Sequence, residues 1–353
     1  MPDADQSGQL AEAVREASDR HQPLRPHGFD SKRFLGHIGD AQALDLRAHS
    51  GIVRYEPTEL VITVRGGTPL RDVEQALAEH GQMLAFEPPH FDGAGSIGGA
   101  VASGLGGPRR PWGGAPRDLL LGVVLLDGRG RVLRFGGEVM KNVAGYDVSR
   151  LMAGALGTLG ILLELSIKVL PAPAVERTLV LNLAHDAALR RIRELARQPA
   201  PLSGACHWED RLYLRLSGNR STVDAWQQKI GGDAGEGLGF WQALRDHRLG
   251  FFDNEDPLWR LSLAPATARL SCEQQVLTDW GGAQRWVFSD TPAETLRQEV
   301  EKCGGHAILF RNGDENTPAF HPLDPVRLRL HKGLKETFDP HGILNPGRQY
   351  AAL

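Results

Sequence analysis

Cysteine is scarce. Cys206, Cys272 and Cys303 stand far apart and form no C-x-x-C. No iron–sulfur cluster or zinc knuckle can be built from these thiols alone. Long apolar runs are missing too. The longest, "LLLGVVLL" (Leu119 to Leu126), is too short to cross a bilayer. Neither sign of charge dominates: 43 acidic residues face 40 basic ones, for a net −3. With no long basic run, nucleic-acid binding is excluded as a main role. The start, "MPDADQSGQLAEAVREA", lacks the basic and apolar regions of a secretory signal. The chain is therefore expected to be soluble and cytoplasmic, with peripheral attachment to the inner face of the membrane still open. There is no internal repeat and no low-complexity tract.

What is present is length and glycine. A chain of 353 residues has room for two domains with sizeable cores. Its 42 glycines favour turns and close backbone approaches. Residues 7–20 read as an amphipathic helix with Leu10, Val14 and Ala17 on one face. "TELVITVRGG" reads as a buried strand, Leu60 to Val64, stopped by Gly66 and Gly67. Thr68 is expected to cap the next helix, with Pro69 in its first position and Gly81 closing it. Asp127-Gly128 joins two hydrophobic runs as a hairpin. "YDVSRLMAGALGTLGILLELSIKVLP" reads as a short helix, a glycine-rich turn and a strand, and "PAPAVE" as a domain junction. From there to about residue 300, strands alternate with amphipathic helices, with "GGDAGEGLG" (Gly231 to Gly239) as a flexible loop. The tail holds a strand, "HAILF", a helix around Val326 to Thr337, and the turn "FDPHGILNPG".

The stretch "FDGAGSIGGAVASG" contains a literal G-x-G-x-x-G at Gly93, Gly95 and Gly98. A nicotinamide site requires a hydrophobic strand running into the first glycine and an acidic residue about twenty positions on. Here "FEPPHFD" precedes it, and two adjacent prolines forbid a central strand. No acid stands at Trp112-Gly113-Gly114. The match is read as incidental. The glycines still need a reason, since seven of the fifteen residues from Gly93 to Gly107 are glycine. Such density lets backbone N–H groups converge on an anion, with Ser96 adding a hydroxyl. The plainer alternative is a surface loop. "GALGTLGIL" (Gly154 to Leu162) offers close backbone contact to a planar ring or a phosphate, or is simply a tight turn. "RPHGFDSK" (Arg25 to Lys32) places Gly28, Ser31 and Lys32 where they can serve an anion together.

The order of these motifs, closed by "FDPHGILNPGR", resembles the FAD-binding fold of the vanillyl-alcohol oxidase and para-cresol methylhydroxylase type. More closely, it resembles the FAD-binding subunits of bacterial glycolate oxidases. The resemblance is strong over about residues 20–170 and again over the last thirty residues. It implies an α+β architecture. After an N-terminal helix (1–20) come a two-subdomain FAD-binding domain (21–172), an α+β cap domain (173–300) and a C-terminal segment (301–353) closing on the flavin. The two subdomains would meet near residue 80. By resemblance, Pro26, Gly28, Ser31 and Lys32 lie in the first pyrophosphate loop, and Gly95, Ser96, Ile97, Gly98 and Gly99 in the second. Gly157, Thr158, Gly160 and Ile161 lie beside the adenosine and flavin, and Asn345 near the isoalloxazine. Some members tether FAD through a histidine in the first loop. Ser31 and Lys32 occupy that place here, so FAD is expected to be held non-covalently, although His27 is close.

The resemblance implies a subunit that helps convert glycolate to glyoxylate, beside a larger flavoprotein subunit and an iron–sulfur subunit. A non-redox scaffold and a stand-alone FAD-dependent 2-hydroxy-acid dehydrogenase remain as alternatives. No catalytic base is identified. In catalytic relatives the C-terminal part carries a His-x-Gly-Asp-Gly-Asn-x-His pattern whose histidines serve a metal or the substrate. The matching stretch "RNGDENTP" keeps Gly313, Asp314 and Asn316 but holds Arg311 and Pro318 at the histidine positions. None of the thirteen histidines is seven positions from another, so no metal site is expected.

Overall fold

The runs rich in valine, isoleucine and leucine become strands, as their period and branching favour. The computed structural model describes residues 3–91, 93, 95–137, 147–314 and 316–353. Asp92, Ala94, Tyr146 and Glu315 of the quoted motifs lie outside them. Two units emerge. The first comprises Met1–Leu105, Gly114–Ala172 and Pro322–Leu353, and the second Gly106–Gly113 and Pro173–His321.

In the first unit, β1 (Leu24–His27) and β2 (Gln42–Asp45) form a parallel pair. β3 (Ile52–Glu56), β4 (Val61–Arg65), β6 (Leu120–Leu126), β7 (Val132–Gly136) and β8 (Ile161–Lys168) form an antiparallel sheet. Its order is β3-β4-β8-β6-β7. The β4–β8 pairing joins strands from before and after residue 80. β5 (Gln82–Met83) pairs with β9 (Leu170–Pro171) beside it. Ile62 and Val64 of β4 and Leu165 and Ile167 of β8 face one core with Val73, Leu77, Ile97 and Val101. Ile161 and Leu163 of β8 face another, covered by Leu10, Val14 and Ala17 of the helix Ser7–Asp19. Both faces of the central strands β4 and β8 are thus buried. Arg65, itself buried, ties the N-terminal segment to the sheet through Asp3, Asp5 and Glu164.

Several local expectations shift. Thr68 does not cap the helix Leu70–Ala78. Its hydroxyl donates to the Arg65 carbonyl at 2.6 Å and accepts from the Gly51 N–H at 2.9 Å. The first helical N–H, on Leu70, goes instead to the Gly95 carbonyl at 2.8 Å. A long-range partner has replaced a local cap. The Asp127 hairpin forms, with the Asp127 carboxylate accepting the Arg129 and Arg131 N–H groups.

The second unit is built on an eight-stranded sheet among the described residues. Its strands are β10 (Val175–Asn182), β11 (Leu202–Trp208), β12 (Arg211–Gly218), β13 (Asp233–Ala234), β14 (Leu258–Ser262), β15 (Val276–Asp279), β16 (Gln284–Phe288) and β17 (His306–Arg311). Their order is β13-β10-β12-β11-β15-β16-β14-β17. β13 lies within the glycine-rich stretch read as a flexible loop, and it pairs with β10. The tail read as one segment from 301 is divided. β17 pairs with β14 inside the second unit, and the return to the first unit starts at Pro322. Residues 106–113 also belong to the second unit, held by the Arg109–Glu176 ion pair and by Trp280 Nε1 donating to the Gly107 carbonyl at 3.0 Å.

His49 is 1% exposed and joins two segments. Its Nδ1 accepts the Gln6 N–H at 3.0 Å, so the neutral ring donates from Nε2 to the Leu163 carbonyl at 3.0 Å. Burial pulls its pKa below the ordinary 6.5, and it acts likewise on His185 and His207. A lowered folded pKa means that the unfolded chain binds more protons below 6.5. The stability these groups contribute is whole above that value and is lost as pH falls toward the folded pKa. The unfolding midpoint should therefore drop between about pH 7 and about pH 5, at up to about 1.4 kcal/mol per pH unit for each histidine in its titration window. Chemical denaturation across that range should show a shallower slope for His49→Gln than for the wild type; equal slopes would acquit His49.

Candidate functional site

Strand β4 runs into Gly66-Gly67, and three backbone segments cross there. A Cβ on Gly66 would lie 2.0 Å from the Leu162 carbonyl oxygen, and one on Gly67 1.9 Å from that of Leu46. A Cβ on Gly98 would lie 2.6 Å from the Gly66 oxygen. No side chain fits at any of the three. Hydrogen bonds use the closeness: the Gly66 N–H donates to Leu163 O at 2.8 Å, Gly98 to Gly66 O at 2.9 Å and Ile97 to Thr68 O at 2.9 Å. Ser96 caps the short helix Ile97–Ser103 by accepting the Gly99 N–H at 3.2 Å. The N–H groups of Ile97, Gly98 and Gly99, expected to face an anion, are therefore engaged within the fold. The glycines supply a floor without side chains, while the Ser96 hydroxyl proton remains to be donated. Among the described residues, no strand lies between Leu84 and Phe91.

Two adjoining clefts open over this floor, both inside the first unit. They share Pro26, His27, Gly28, Ser96, Gly99, Ala102 and Leu156. The first, with about 560 Å³ of space counting its open mouth, is also lined by Ser31, Lys32, Asn345 and the cations Arg25, Arg33 and Arg348. The second, with about 530 Å³ counted the same way, adds Gly98, Gly157, Gly160 and Ile161 with apolar Leu46, Met152 and Leu162. Most of the expected residues therefore meet at one place. Three do not line it. Ile97 points into the core and is fully buried. Thr158 donates its hydroxyl to the Ala155 carbonyl at 2.8 Å and lines a different groove. Gly95 sits behind the loop, where a Cβ would be 2.9 Å from Leu70 Cδ1 and 3.6 Å from Lys32 Nζ.

Charge separates the two clefts. Arg25 pairs with Asp30 at 2.6 Å, and His27 Nδ1 lies 3.0 Å from the Gly28 carbonyl. Arg348 donates from Nε to Leu35 O at 3.0 Å and from Nη2 to Lys32 O and Arg33 O at 3.3 and 3.2 Å. Burial, then neighbouring Arg25, pull Arg348 down to about 10, which leaves it charged at neutral pH. The first cleft is thus cationic and the second largely apolar. One residue's contacts explain why they adjoin. Asn345 donates its backbone N–H to Leu24 O at 2.9 Å and its amide to Leu156 O at 2.7 Å, bridging the first loop and the glycine turn. Its own placement rests on a buried ion pair, Lys335 with Asp339 at 2.8 Å. Lys335 also donates to Thr158 O and Leu344 O, and Asp339 accepts the Ile343 and Leu344 N–H groups. Burial lowers the Lys335 pKa and Asp339 opposes it.

No group of three histidine, cysteine, aspartate or glutamate side chains suited to a metal occurs among the described residues. Asp314 of "RNGDENTP" accepts the N–H groups of Asn316 and Thr317, a turn-forming role.

Comparison with known proteins gives the class: this is an FAD-linked oxidoreductase chain. A family model described as "FAD binding domain" matches residues 4–136, and one described as "FAD linked oxidases, C-terminal domain" matches 321–349. Glycolate oxidase subunit GlcE of Escherichia coli (strain K12) is 46% identical over 353 residues, covering 100% of both chains. The chain belongs to the GlcE family of FAD-linked oxidase subunits. D-lactate dehydrogenase of Anaerostipes hadrus is 29% identical over 49% of this chain and 36% of that protein. Glycolate oxidase subunit GlcD of Bacillus subtilis (strain 168) is 28% identical over 55% and 43%. Among solved structures, alkyldihydroxyacetonephosphate synthase matches with a TM-score of 0.68 over 97% of this chain and 74% of that one. At 15% identity that likeness shows the fold alone.

The crossing makes a direct prediction. Gly98→Ala pushes a methyl against the Gly66 backbone, which cannot swing aside, and should destabilise the protein by about 1–3 kcal/mol. Gly8→Ala, whose Cβ meets nothing within 4 Å, should leave the melting temperature unchanged or raise it. Thermal unfolding of both variants checks the contrast.

Proposed function

We propose that this chain is the FAD-binding subunit of a complex that oxidises a 2-hydroxy acid, glycolate foremost, to the 2-oxo acid. The observation that carries the reading is the junction of a cationic and an apolar cleft over one glycine floor. A dinucleotide has a diphosphate for the first and a flat ring system for the second. FAD held here would supply the complex with a carrier able to take up and pass on two electrons. The protein's part is to hold and orient. Gly28, Ser31, Lys32 and Ser96 would hold the diphosphate, and Gly98, Gly157, Gly160 and Ile161 would lie against the ring systems. Pro26 and Gly99 border both ends. Asn345 keeps the first loop and the glycine turn in register. The second unit is proposed as the substrate-side cap.

FAD is held without a covalent bond in this reading. Ser31 and Lys32 take the place where tethering relatives have histidine, and His27 Nδ1 is occupied by the Gly28 carbonyl. Acid precipitation should leave the yellow flavin in the supernatant; flavin that stays in the pellet would contradict it.

The partners proposed are the larger flavoprotein subunit and an iron–sulfur subunit, with the assembly peripheral at the inner face of the membrane. Support comes from the relatives named as subunits and from the three separated cysteines, which leave onward electron transfer to another chain. A specific observation also favours a relay or scaffold role over substrate oxidation by this chain itself. Arg311 and Pro318 replace the two histidines of the catalytic pattern, and an arginine stays protonated and cannot serve as base. Mixed anaerobically with millimolar glycolate, the isolated flavin-loaded chain should keep its flavin absorbance, whereas the complete complex should lose it. Rapid bleaching of the isolated chain would return the catalytic role to it.

A further inference from the structure

We propose that Arg348 is a direct anion-binding residue of the first cleft, taking the diphosphate portion of the dinucleotide. The inference rests on the functional reading above and adds a residue that neither the motifs nor the relatives assign. Three features of its setting carry it. First, Arg348 reaches the cleft from the far end of the chain and lines it beside Arg25 and Lys32. Second, its Nε and Nη2 are spent on the carbonyls of Leu35, Lys32 and Arg33, and its own carbonyl accepts the His37 N–H at 3.0 Å. Nη1 makes no hydrogen bond among the described residues. Third, no carboxylate pairs with it among those residues, because Asp30, the acid of this loop, is held by Arg25 at 2.6 Å.

This half-buried guanidinium has carbonyl dipoles as its direct partners, with Asp30 acting on it only from a distance. A phosphate oxygen is the partner whose charge and geometry suit the remaining donor. The same three carbonyl contacts hold loop 32–35 in place, so a purely structural clamp is the competing account. The two accounts differ in what charge does. A clamp needs donors, whereas an anion contact needs a positive charge and weakens with salt.

The test compares the FAD dissociation constant of the wild type, R348K and R348Q at rising sodium chloride, by quenching of flavin fluorescence, alongside thermal unfolding. Gln keeps amide donors toward the loop carbonyls but removes the charge, whereas Lys keeps the charge and replaces the planar fork of donors with a single ammonium. R348Q should bind FAD about tenfold to a hundredfold more weakly. It should also show a flatter salt dependence, and R348K should recover part of both. Unchanged FAD affinity in R348Q would overturn the proposal. So would affinities that follow thermal stability rather than charge, with Gln binding better than Lys. If R348Q fails to fold, R348K and R348M decide: a steeper salt dependence and tighter FAD binding in R348K than in R348M support the charge contact, and equal slopes and affinities overturn it. A wild type that takes up no FAD would remove the functional reading together with the proposal, an outcome distinct from a defect confined to the variants.

Discussion

Backbone packed on backbone at Gly66 and Gly98 is the constraint from which the rest of the site follows. A Cβ at either position would lie within 2.6 Å of a carbonyl oxygen of the facing segment. Because neither residue has a side chain, the end of β4, the start of the helix Ile97–Ser103 and the start of β8 come into hydrogen-bonding contact. That contact makes a smooth floor, and it also consumes the N–H groups that a phosphate-cradling loop would present. On the function proposed, anion recognition falls instead to the loop from Arg25 to Arg33, the Ser96 hydroxyl and the returning C-terminal segment.

The return of the C-terminal segment is held by charge taken deep into the protein. Lys335 and Asp339 are both buried, a placement that costs desolvation unless every remaining donor and acceptor is used. Here they are used well. The ammonium reaches two carbonyls, and the carboxylate receives two backbone N–H groups. The pair sets the path of Ile343 to Asn345 against β1, and Asn345 then links that path to the Leu156 carbonyl. A substitution at either charged residue is thereby expected to be felt in the clefts without touching them.

Much of this was legible in the sequence because it is written locally. The helix Ser7–Asp19, the Asp127 hairpin and the strand after the glycine turn all follow from period and turn chemistry within short windows. The three Gly/Ser loops stood out by composition, and the family resemblance ordered them around one ligand. What was not legible depends on partners far apart in the chain. Arg348 meets Lys32 and Leu35 across more than three hundred residues, and nothing in "NPGR" announces it. Thr68 had the signature of a helix cap, but Gly51 and Arg65 claimed its hydroxyl. Ile97 and Thr158 fell inside the motifs read for a ligand, yet the packing of their own segments turned both away from the clefts. Motifs mark the segment; the fold decides which of its side chains line the clefts.

The central claim is that the two clefts hold one molecule across their shared wall. Hydrogen–deuterium exchange of the apoprotein, with and without added FAD, tests it most directly. Protection should rise together at residues 25–33, at 155–161 and at 345–348, with the same dependence on FAD concentration. Protection confined to one of these segments, or rising at a separate FAD concentration for each, would mean that the clefts are independent and would contradict the account.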